Sequence, residues 1–174
     1  MDLAPTIFQM AGLAPRPDFD GVAVPLTREE IKKDLSARGE HLAVEYWGLS
    51  VDESWHSSIS LGNTYKGIRV QCKDYSFYYA VHCTNEHEMY DMMADPYQIN
   101  NLLPSGSNGT GMLITSYADS TVVINGKPLI NVVGRLDSLM MVMKSCNAQT
   151  CLNPWSVLHP KGDVKSLKDA LDAK

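Results

Sequence analysis

The chain has no long apolar run. None of its uninterrupted apolar stretches approaches the roughly eighteen residues that a membrane-crossing helix needs, so no spanning segment is expected. A basic surplus is missing too: 15 Lys and Arg stand against 20 Asp and Glu, a net charge of -5, and the cations are scattered along the chain. Without a basic stripe there is no electrostatic footprint for a phosphate backbone, and nucleic acid is not an expected partner. The opening MDLAPTIFQMAGLAPRPDFD carries an acid at position 2 and no basic flank before its apolar part, so it does not read as a secretory signal. The glycine-containing stretch PSGSNGTG, residues 104–111, lacks the Gly-Lys-Ser or Gly-Lys-Thr ending and the preceding strand of a phosphate-binding loop.

Cysteine is sparse, with four in 174 residues. Cys146 and Cys151 are close together and form a candidate disulfide if the chain meets an oxidising compartment. Asn108-Gly109-Thr110 is a sequon, so Asn108 is a candidate glycosylation site on a secreted chain. These two features lean toward an extracytoplasmic setting, whereas the missing signal pattern leans the other way.

What is present is enough for a core. Apolar residues make up 44% of the chain and charged ones 20%, a balance that supports one folded domain and argues against disorder. Near the start, Asp2 is placed to cap a helix with Pro5 in its first turn and Gly12 at its close. Such a helix is too short to stand alone in water and must pack on a sheet or on a body outside this sequence. After a proline-rich connection, Thr27 and Glu30 have capping-box spacing at the head of a polar surface helix reaching toward Gly39.

Strand patterns follow. His41 to Trp47 alternates, with Leu42, Val44 and Tyr46 assigned to the buried face and Ala43, Glu45 and Trp47 to the other. Ile68, Val70 and Cys72 share one face of the next run, and Phe77, Tyr79, Val81 and Cys83 share one face of the run after it, with residues 73–76 as the turn. Residues 88–93 complete an antiparallel meander that Asp95-Pro96 terminates, since proline removes a ladder donor. Residues 112–124 read as either a helix or a further hairpin. Residues 131–146 carry Leu136, Leu139, Met140 and Met143 at helical spacing, a methionine-rich face read as core filling for the meander. A short terminal helix is expected at 164–171. The fold class is therefore α+β, an antiparallel sheet of about four strands with a packed helix.

Candidate chemistry is thin. Glu45 beside aromatics could serve as a general acid of raised pKa, but no partner carboxylate is identifiable. His82 and His87 read as strand residues with backbone or water partners, and Asp91 and Asp95 as caps or a solvated rim around a turn, in preference to metal ligands. No nucleophile, base and orienting group assemble from the spacing.

Several segments together resemble the C-terminal part of the sulfatase family, in its fungal arylsulfatase-like branch. They are DLAPTIFQMAGLAPRPDFDG (Asp2 to Gly21), VEYWG (Val44 to Gly48), NTYKGIRV (Asn63 to Val70), CTNEHEMYDMMADPYQINNL (Cys83 to Leu102), RLDSLMMVMKSC (Arg135 to Cys146) and CLNPWSVLHPKGDVKSLKDAL (Cys151 to Leu171). The resemblance implies that residues 1–40 are a linker with short helices joining a catalytic core, and that 41–174 are the family's C-terminal α+β subdomain. It also implies sulfate-ester hydrolysis by a formylglycine made within a Cys/Ser-x-Pro-x-Arg motif, beside calcium. None of Cys72, Cys83, Cys146 and Cys151 stands in that motif. The implied catalytic and metal residues within this chain are therefore none, with calcium and formylglycine expected only in the full-length enzyme. A sulfatase catalytic domain, or another protein, is the implied partner. Family members are often secreted or lysosomal.

Overall fold

A computed structural model describes residues 2–37, 39–48, 50–51, 59–60, 64–103 and 122–173. In chain order its elements begin with α1 (Leu3–Met10), α2 (Arg28–Ala37), β1 (His41–Tyr46), β2 (Ser50–Val51), β3 (Ile59–Ser60), β4 (Tyr65–Gln71), β5 (Ser76–His82) and β6 (His87–Asp91). They continue with β7 (Val123–Ile124), β8 (Lys127–Pro128), α3 (Leu129–Met143), α4 (Gln149–Leu152), α5 (Pro154–Leu158) and α6 (Leu167–Asp172). Packing divides the chain into two units, His41–Met140, and Met1–Glu40 together with Met141–Lys174.

The unit His41–Met140 is built on a four-stranded antiparallel sheet of order β1-β4-β5-β6. Residues directly opposite in an antiparallel ladder point to the same face. The pairings Val70 with Phe77, Ile68 with Tyr79, and Tyr79 with Met89 thus gather these apolar side chains on one side, where all are buried. Each such side chain taken out of water contributes about 1.5–3 kcal/mol. α3 covers this face: its Leu129, Val132, Val133, Leu136, Leu139 and Met140 are buried, and Asp137 accepts a hydrogen bond from Tyr79 at 3.2 Å. The α+β class and the helix-on-meander layer are both present.

One face assignment is corrected. Ala43 lies opposite Ile68 and His41 opposite Val70, so the odd-numbered positions of β1 look toward α3's side of the sheet, and Leu42 is 58% exposed. β1 carries apolar residues at both parities and lies at the sheet edge, so alternation alone did not fix its orientation; the register with β4 does. Gly67 on β4 marks a close approach, since a Cβ there would lie 3.1 Å from the Tyr79 carbonyl oxygen and 3.0 Å from the Tyr78 hydroxyl.

The hairpin alternative holds for the end of 112–124. β7 and β8 pair antiparallel around Asn125 and Gly126, whose φ angles of 51° and 76° are the positive pair a two-residue hairpin turn requires. Residues 104–121, with the sequon asparagine Asn108, lie outside the described residues.

The far edge of β6 is closed by the segment that follows it. The Asn101 side chain accepts from Met89 N–H at 3.0 Å and Leu103 N–H at 2.9 Å, and its amide donates to the His87 carbonyl at 3.3 Å. Leu102 N–H adds a bond to the Met89 carbonyl at 2.9 Å. Asn101 thereby acts as a surrogate strand and covers an edge that would otherwise template pairing with another chain.

In the other unit, the capping box forms as the spacing requires: Thr27 N–H donates to Glu30 at 3.0 Å and Glu30 N–H to the Thr27 hydroxyl at 3.2 Å. Asp2 does not cap α1. Its own backbone is helical, which turns the carboxylate away from the first-turn amides, and it instead accepts from Val22 N–H at 3.1 Å. Glu40 bonds both the Trp155 indole N–H, at 3.1 Å, and the backbone N–H of Leu167 at the head of α6. Cys146 and Cys151 are joined in a disulfide with a Cα separation of 5.0 Å, and Cys151 and Trp155 are buried.

Replacing Asn101 with alanine leaves the Met89 amide, beside a fully buried side chain, without its partner. The expected loss is about 2 kcal/mol or more in a denaturant melt, with earlier amide exchange along β6.

Candidate functional site

On the sheet, the described residues bring titratable groups together at three places. The first is on the α3 side of the sheet. Tyr79 is fully buried, its hydroxyl donates to Asp137 Oδ1 at 3.2 Å, and it lies 2.9 Å from His87 Nδ1. A phenol has one proton, and giving it to the carboxylate makes the tyrosine oxygen the acceptor of an Nδ1–H from a neutral His87. Burial holds the His87 ring below the ordinary histidine range, outweighing the upward pull of Asp137. His87 is thus a strand histidine as the sequence indicates, and the Tyr79 hydroxyl is the partner of its Nδ1.

The second is the opposite face. His82 Nε2 sits 3.4 Å from Glu88, and the His82 ring tilts against Tyr65, which stacks on Tyr46. Tyr78 packs beside Tyr90, and its hydroxyl is pushed up to about 12, by burial first and then by Tyr65 and Glu88. It is consequently a neutral hydrogen-bonding group at ordinary pH.

The third overturns the reading of Glu45 as a general acid of raised pKa. Lys66 Nζ donates to Glu45 at 2.8 Å and the Trp47 indole N–H at 2.9 Å, and these bonds, Lys66 first, hold its carboxyl below the ordinary range. Lys66 also lies over the Trp47 ring, 5.0 Å from its centre. Glu45 is an ionised surface partner with no proton to give.

The aspartates of the 91–95 turn are committed to backbone. Asp91 accepts from Met93 N–H at 3.0 Å and Asp95 from Asn100 N–H at 2.7 Å, which is the capping role. Among the described residues no three His, Cys, Asp or Glu side chains are gathered where they could hold a metal ion. Cys72 and Cys83 are free and exposed. Sequence reasoning missed the link of Tyr79 to Asp137, which spans 58 residues and leaves no local pattern.

No protein-family model matches the chain. Among curated proteins it is 37% identical over 171 residues to sulfatase ppz1 of Metarhizium majus, covering 98% of this chain and 30% of that protein. It is 30% identical to an arylsulfatase of Volvox carteri and 28% identical to one of Chlamydomonas reinhardtii, each match covering all of this chain and 25% of the relative. The chain thus spans less than a third of the length of these relatives, and the matched region is their C-terminal part.

The buried triad has a measurable cost. Tyr79→Phe strands both Asp137 and His87 and is expected to destabilise the fold by about 1–3 kcal/mol. His87 protonates less readily folded than at its ordinary value of 6.5, so the unfolded chain binds more protons, and stability falls as pH drops through that value toward the lower folded one. Thermal melts between pH 8 and pH 5 should show this decline, and His87→Gln should flatten it; equal slopes in both proteins would remove His87 from the account.

Proposed function

We propose, because this chain is related along its whole length to the C-terminal part of sulfatases, that it supplies the C-terminal structural subdomain of a sulfuric ester hydrolase and does not itself turn over sulfate esters. The observation that carries this is in the sequence: none of the nine prolines is followed two residues later by arginine, so a Cys/Ser-x-Pro-x-Arg motif occurs nowhere in the 174 residues. A sulfatase of the kind resembled needs an activated aldehyde-hydrate nucleophile and a cation to neutralise sulfate oxygens, and rotamer changes cannot create either. The titratable groups in view support the same reading. Tyr79 is sealed in the core, Glu45 is held ionised, and Asp91 and Asp95 cap backbone.

A second reading, a protein-interaction module that docks on a partner, draws on the large apolar side chains exposed on α1. Both readings leave formylglycine and calcium to the remainder of the full-length enzyme.

Purified chain, supplied with calcium, should hydrolyse an aryl sulfate no faster than a heat-treated control. Turnover well above that control, abolished by Glu45→Gln or by Cys72→Ser and Cys83→Ser, would place chemistry within these residues and overturn the proposal.

A further inference from the structure

α1 presents three different sides. Asp2, Thr6 and Gln9, spaced by four and three, face the segment that returns beside the helix: Asp2 accepts from Val22 N–H at 3.1 Å, Thr6 from Val24 N–H at 2.8 Å, and Gln9 donates to Glu30 at 3.0 Å. Phe8 meets Phe19 edge to face with ring centres 5.1 Å apart. Leu3, Ile7 and Met10 repeat the same four-and-three spacing one residue later, which rotates them about 100° from the bonded side. They are 75%, 62% and 71% exposed. α1, LAPTIFQM, has no charged residue to solvate this stripe.

Three such side chains in a row make an apolar patch on the order of a few hundred Å², the size of the largest patch on a typical monomer, which is often functional. We propose that this stripe is the seat of the remaining, N-terminal part of a sulfatase. The inference rests on the scaffold role proposed above and names the surface through which it acts.

Two observations favour that occupant. The matched relatives carry most of their length outside the matched region, and that region is their C-terminal part. In them the remaining chain therefore enters from the N-terminal side of the α1 equivalent, and Leu3 stands on the first turn of α1. A body tethered a few residues from an apolar stripe meets it at an effective concentration in the range of millimolar or above, so a modest surface suffices. The lack of charge also fits a permanent interface, whose buried centre is depleted of charged residues.

The test compares two contexts. In one, the isolated chain carries Ile7→Glu and Met10→Glu, which keep helix propensity. In the other, the same pair is placed in a full-length chimera, the Metarhizium majus sulfatase with its matching segment replaced by this chain. The isolated chain should keep its melting temperature within about 2 °C, because both positions are exposed. The chimera should lose about 5 °C or more, with a parallel loss of aryl sulfatase activity. Val123→Glu, on an exposed position of β7, should leave both unchanged.

A folded, active chimera indifferent to the pair would overturn the docking surface alone. A wild-type chimera that fails to fold would overturn the scaffold role and the occupant together. A dimer of the isolated chain that the pair converts to monomer, with the chimera unaffected, would assign the stripe to a second copy and overturn the proposal.

Discussion

The hydroxyl of Tyr79 fastens helix to sheet. It sits at the centre of β5, opposite Ile68 on one side and Met89 on the other, and it reaches Asp137 on α3 and His87 on β6. Its ring supplies apolar area to the buried face while its oxygen satisfies two polar groups that burial would otherwise penalise. Remove that oxygen and the apolar layer remains, but the helix loses the bond that specifies its rotation over the sheet. The register of β4 with β5 places Tyr79 there, so a one-residue slip would turn the whole buried set outward.

Much of this was legible in the chain. The alternation of Ile68, Val70, Phe77 and Tyr79, with a short turn between two runs, is a period-two signal that survives tertiary context, and the capping box at Thr27 and Glu30 is local by construction. What was not legible depended on partners distant in sequence. β1 has apolar residues of both parities, and only its ladder with β4 turns Ala43 inward and Leu42 outward. Asp2 had the right identity for a cap, but the carboxylate found Val22 instead. Glu45 beside aromatics suggested a general acid of raised pKa, whereas Lys66 and Trp47 hold it ionised. The relation of Asp137 to Tyr79 has no signature short of the folded chain.

The same physics supports the proposed functional reading. A reactive carboxylate or histidine needs access to substrate and protonation poised near the working pH. Among the described residues, Asp91, Asp95 and Asn101 bond backbone amides, Asp137 and His87 a buried phenol, and Glu45 a cation. The proposed scaffold, related to the C-terminal part of sulfatases, is consistent with these bonds.

Whether this chain carries any of the sulfate-ester chemistry is open to direct chemical measurement. A hydrazide probe captures aldehyde-bearing peptides from an active sulfatase containing this sequence, and mass spectrometry of the digest identifies the modified residue. The account predicts that every captured peptide maps outside residues 1–174. A probe adduct within them, at Cys72 or Cys83, would contradict it.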